Sequence, residues 1–174
     1  MAGQLIQVAT ETVTSAVASV TLTGIDSDDV YMVTVANVIP TTDDKNLQVR
    51  VTVSGTAQTS SNYDEASKNL RTDTTFSNSG LTNLDRWQPQ SASGSATNES
   101  GNLTMYLFNF NNSSEYSFVT VESNYINASG NLFGHQGGGV YTVAEAHNGI
   151  NFSLESSDTF ESGTFTLYKV VWYE

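Results

Sequence analysis

The sequence predicts an all-β protein: two antiparallel sheets packed as a sandwich, wound as a jelly roll, with one long polar loop over residues 74–102. Three observations carry this expectation. Apolar and polar residues alternate with period two along most of the 174 residues. Ser and Thr together number 44 and Asn 16, a composition of β-strands joined by polar turns. No stretch of 10–12 residues has a convincing helical period, and the length suits a single domain, 1–174, with a sizeable core.

In chain order, weaker strands fall at 4–9 and 17–23. "VYMVTVANV" (30–38) sets Tyr31, Val33 and Val35 on one face. "LQVRVTV" (47–53) turns Leu47, Val49, Val51 and Val53 inward and Gln48, Arg50 and Thr52 outward. "YDEASKNLR" (63–71) reads as one or two helical turns, because Asp64 and Glu65 precede Lys68 and Arg71 in the sense that suits a helix dipole. After the polar loop, "LTMYLFNF" (103–110) is apolar on both faces, as a central strand would be. "NNSSE" then makes a hairpin turn into "YSFVTVES" (116–123). The glycine run 137–139 reads as a turn entering a weaker strand at 139–144, with "HNG" (147–149) as a tight turn leaving it. "INFSLES" (150–156) and "TFTLYKVVWY" (164–173) close the set of about nine strands.

Composition narrows the function. Eighteen acidic against six scattered basic residues give a net charge of −12. Such a surface repels phosphate, so no nucleic-acid partner is expected. No run of 18 apolar residues exists, which argues against a membrane partner, and the first residues lack the pattern of a secretory signal. The absence of cysteine removes disulfides and thiolate metal sites.

Chemistry is sparse. His135 and His147, with Glu145 between them, would lie at opposite ends of a strand, too far apart to share an ion. No nucleophile elbow is present, and no pair of carboxylates stands out, so no catalytic residues and no enzyme activity are expected. Asp26, Asp28, Asp29, Asp43 and Asp44 could ligate calcium, but the spacing of a calcium loop is not met, and polar turns account for them. No metal or cofactor is expected. Trp87, between Arg86 and Pro89, is the natural anchor of the polar loop and a possible sugar platform. Phe165, Tyr168 and Trp172 belong to core or interface.

The segment "SVTLTGIDSDDVYMVTVANVIPTTDDKNLQVRVTVSGT" (19–56), the "NYD" at 62–64, "LFNFNNSSEYSF" (107–118) and "SGTFTLYKVVWYE" (162–174) resemble a family of small virion proteins of tailed bacteriophages. The region around 84–102 matches least, and Lys169 stands where the family has glycine. The resemblance implies a structural part of the phage particle, made in the bacterial host cytoplasm. The first expectation is a cement or decoration protein on the capsid surface, a homotrimer whose partner is the major capsid protein. Its expected interface residues are Leu5, Ile6, Arg86, Trp87, Trp172 and Tyr173. The alternative is a tail or tail-fibre module that binds host glycans through Trp87, Asn98 and Asn102.

Overall fold

A computed structural model describes residues 3–172. Its strands are β1 (Gly3–Val13), β2 (Ser19–Thr23), β3 (Tyr31–Pro40), β4 (Lys45–Val53), β5 (Thr56–Ala57), β6 (Tyr63–Arg71), β7 (Ser77–Leu84), β8 (Trp87–Ser93), β9 (Gly101–Phe108), β10 (Ser117–Ile126), β11 (Leu132–Tyr141), β12 (Gly149–Leu154) and β13 (Phe160–Trp172). They form an eight-stranded sheet, in the order β1-β13-β3-β9-β10-β11-β6-β7, and a smaller sheet, β2-β12-β4-β5, with β8 also paired to β4. All pairings are antiparallel. The two sheets pack face to face as a sandwich. The chain changes sheet repeatedly: β1, β3, β9 and β13 lie in the large sheet, and β2, β4, β8 and β12 in the small one.

The alternation read from the sequence places the core. Tyr31, Val33, Val35, Leu47, Val49, Val51, Leu103, Met105, Leu107, Ile150, Phe152, Phe165 and Leu167 are all buried between the sheets. Their partners one residue along point outward, as the pleat requires. Phe165 packs against Phe152 and Phe160, each with ring centroids 5.2 Å away. β9 is central, between β3 and β10, and the β9–β10 hairpin turns through the expected polar cluster.

Three local expectations are corrected. Residues 63–71 are a strand, β6, paired on both sides. Its charges suit a helix, but Tyr63 is buried on the inner side, its hydroxyl donating to the Gln58 carbonyl at 2.7 Å and accepting from the Val51 amide at 3.2 Å. Much of the supposed loop 74–102 is strand, namely β7 and β8. Gly137–Gly139 are not a turn; they lie inside β11, opposite Val121, Thr120 and Val119. A Cβ at Gly139 would sit 2.4 Å from Trp87 Nε1, so this glycine makes room for the tryptophan.

Candidate functional site

The molecule's two histidines come first, because buried polar groups need an explanation. His147 is fully buried, its ring edge-on to Tyr141 (5.0 Å) and Phe110 (5.8 Å). Nδ1 lies 2.8 Å from Ser117 Oγ and Nε2 lies 3.5 Å from Glu145 Oε1. The order Ser–His–Glu has the outline of a nucleophilic triad. Ser117, however, is itself fully buried, and its hydroxyl also donates to the Asn109 carbonyl at 3.3 Å. A carbonyl substrate has no path to that oxygen. The group instead pins the 142–148 segment to the sandwich end, helped by the His147 amide donating to the Phe110 carbonyl at 2.6 Å. Burial holds the imidazole pKa below its ordinary value, with Glu145 opposing. His135 is elsewhere, buried on the inner side of β11 near Trp87, Pro89, Met105 and Val121, and its pKa is lowered by the same desolvation.

The five aspartates divide between the two ends of β3. At one end Lys169 Nζ fills the turn, 2.7 Å from both Asp29 Oδ2 and Ser27 Oγ and 3.8 Å from Asp26. This contact holds the Asp29 carboxyl below its usual range. Asp28 accepts from Asn112 Nδ2 at 2.9 Å. At the other end Asp43 accepts the Ser95 amide at 3.0 Å. Lys169 therefore supplies the positive charge that the acidic turn needs.

A surface, rather than a pocket, is the unusual feature. Strand register lines up one apolar row across the outer face of the large sheet. Leu5 pairs with Val170, whose amide donates to the Val30 carbonyl at 2.9 Å. The Tyr31–Leu107 pair sets Val30 beside Phe108, Phe108 pairs with Phe118, and Phe118 with Val140. Five strands and the residue just before β3 thus contribute Leu5, Val170, Val30, Phe108, Phe118 and Val140 to a single line. Trp172, past Val170 along β13, and Tyr106, before Phe108 along β9, flank the row on opposite sides, and Leu81 lies near Phe108 and Phe118. Leu5, Tyr106, Phe118, Leu81 and Trp172 are all exposed, Trp172 at 67%. Farther along the strands the face becomes polar. Thr166, Thr34 and Thr104 form the third row, then Asn102 and Asn124 hydrogen-bond across β9 and β10 at 3.2 Å. Contiguous exposed apolar stripes of this extent are uncommon on protein surfaces.

Of the interface residues expected from sequence, Leu5 and Trp172 fall on this face. Ile6 is exposed at 42% on the opposite side of β1. Arg86 is half-buried and salt-bridged to Asp85, away from the row. Trp87 is corrected: it is 2% exposed, packs edge-on against Tyr63 at 5.0 Å and donates Nε1 to the Asp64 carbonyl at 3.2 Å. It cannot serve as a platform or an anchor. Tyr173 lies outside the described residues. Asn102 is in β9, its side chain held by Asn124 and the Asn37 amide. Phe108, Phe118, Val30 and Val140 were not singled out from sequence. Their signal was the apolar outer position in strands already apolar inside.

The chain is a two-sheet antiparallel β protein with an apolar stripe on the outer face of its large sheet. Comparison of the chain with family models, with curated proteins and with solved structures finds no match.

Proposed function

We propose that the chain is a structural component of a tailed-phage particle, a cement protein that sits on the outer shell and bridges major capsid proteins. The single observation that carries the reading is the apolar row across the large sheet: an acidic protein keeps one broad uncharged stripe, suited to lie against a larger apolar partner. Two further features support it. The strand orders β1-β13-β3-β9 and β2-β12-β4, with β8 also on β4, support reading the sandwich as a jelly roll, an architecture common in capsid proteins. The charge of −12 keeps decorated particles apart. The mechanism is mechanical. A rigid sandwich docks its stripe across a seam, and many weak bridges together resist pressure from within. Two of the three residues named for glycan binding are less suited to it, since Trp87 is buried and Asn102 is held in a sheet, while Asn98 is exposed in a turn.

The test is copy number per virion, by quantitative mass spectrometry of purified particles normalised to the major capsid protein. Hundreds of copies near a simple ratio are expected. A few to a few tens would assign the chain to a tail, collar or fibre instead.

A further inference from the structure

We infer that the polar half of the large sheet's outer face is a binding trough for a neutral saccharide. Four residues along each strand from the apolar row, the register Thr34–Thr104–Glu122–Gln136 crosses β3, β9, β10 and β11. Neighbouring strands are about 4.8 Å apart, so this line is about 14 Å long. Thr34 and Thr104 are short, and Glu122 and Gln136 are long, so the face sinks over β3 and β9 and rises over β10 and β11. The result is a hollow of about 450 Å³ that continues into a second of about 300 Å³ through Thr104, Glu122 and Gln136. These are volumes of the size that small ligands occupy. Tyr106, 42% exposed, adds an aromatic ring to the second hollow.

The trough's side chains are held in place and keep bonds to offer. The Asn37 amide donates to Asn102 Oδ1 at 3.1 Å, and Asn102 Nδ2 donates to Asn124 Oδ1 at 3.2 Å. Asn37 reaches this position because β3 bulges between Val35 and Val38, with Asn37 at φ 55°. Gln136 Nε2 donates to Glu122 Oε1 at 2.8 Å. Three groups with spare capacity are thereby oriented: the Asn124 amide can donate, and Glu122 Oε2 and Gln136 Oε1 can accept. The Thr34 and Thr104 hydroxyls have no hydrogen bond among the described residues, and each can give or take one. This mixture selects the ligand class. Glu122 is the one carboxylate lining the trough, and no lysine or arginine lines it. A phosphate finds no cation there, and a metal ion finds no set of ligands. A sugar hydroxyl both donates and accepts, so a series of them matches alternating acceptors and donors, and the C–H face of a sugar ring suits an aromatic. Groups already fixed avoid the ordering cost that weakens binding. The trough is not the loop site expected from sequence: Trp87 and Asn98 are not part of it, and Asn102 is a positioning residue for Asn124. The inference concerns the isolated chain and needs no assumption about the particle.

The test is an array of neutral oligosaccharides probed with the full chain, followed by NMR titration of the isotope-labelled chain with the sugar that binds best. Selective binding of a neutral sugar is expected, with amide shifts confined to β3, β9, β10 and β11. Glu122→Gln keeps the shape but removes a charged acceptor, and should weaken that sugar by about tenfold or more. Tyr106→Ala should weaken it as well, while Ser113→Ala, in the turn between β9 and β10, leaves it unchanged. All three positions are exposed, so each variant should keep the urea midpoint of the unmodified chain. No binding of any neutral sugar at about 10 mM, binding of acidic sugars alone, or the same affinity in Glu122→Gln and Tyr106→Ala would each overturn the inference. None of these outcomes alters copy number in the virion, so the two readings fail separately.

Discussion

The two outer faces of the sandwich are built from the same kind of strand and end up chemically opposite. On the small sheet, the outward side chains bond to one another. Arg50 donates to the Asp85 carbonyl (3.0 Å) and carboxylate (3.1 Å), to Ser153 Oγ (2.9 Å) and to Gln48 Oε1 (3.1 Å). Asn151 donates to Thr21 Oγ1 at 2.8 Å, and Thr52 to Asn148 at 3.0 Å. The apolar row on the large sheet has no such closure. A face whose groups satisfy each other has little to offer a partner. A face of unpaired apolar side chains gains free energy only when something covers it. This contrast is what the proposed contact role of the large sheet rests on.

Substitutions can break or sharpen this contrast. The largest effect belongs to neither outer face. Trp87→Ala, in the core behind β8, is expected to cost about 3–5 kcal/mol, read from urea unfolding. Arg50→Ala should cost about 1.5–3 kcal/mol, because it strips a charged donor from four acceptors, while capsid binding stays intact. An equal loss of binding would mean that the small sheet also makes contacts.

Acid tests the buried histidines. His135 and His147 both have pKa values below the ordinary 6.5, so the unfolded chain takes up protons that the folded chain refuses. Their effect is absent above about pH 6.5 and destabilises progressively as pH falls from there through the folded-state values. Glu65, whose pKa burial raises above 4.5, works in the opposite sense, binding its proton first in the folded state. The urea midpoint should fall between pH 7 and pH 5, and by less in His147→Gln; an identical fall in that variant would assign the effect elsewhere.

The smallest stability effect should come from Phe118→Ser on the apolar row, within about 0.5 kcal/mol. That variant should nonetheless lose binding to capsids in a sedimentation assay. Retained binding would remove the row from the contact surface.

Legibility followed the hydrophobic pattern. β3, β4, β9, β10, β12 and β13 could be read because Val, Leu and Phe alternate with polar residues over a two-sided core. β6, β7 and β8 could not. The inner positions of β6 include Glu65, which is satisfied by the Gln88 amide at 2.8 Å, so no local periodicity betrays the strand. β8 carries Pro89 and is held by pairing with β4, some forty residues earlier. Trp87 looks like a surface residue beside Arg86 and Pro89; only the missing side chain at Gly139 shows where it goes. The contact row was equally hidden, since its members are adjacent only through strand register.

The closing strands also set a schedule for synthesis. β12 inserts between β2 and β4, and β13 between β1 and β3. Until β12 and β13 are present, β1 and β2 have no strand beside them in their sheets, and nothing joins β1 to β3 or β2 to β4. Closing the sandwich therefore depends on pairings between distant parts of the chain, which makes it a slow step. Removing β13 would take from β1 the strand it pairs with.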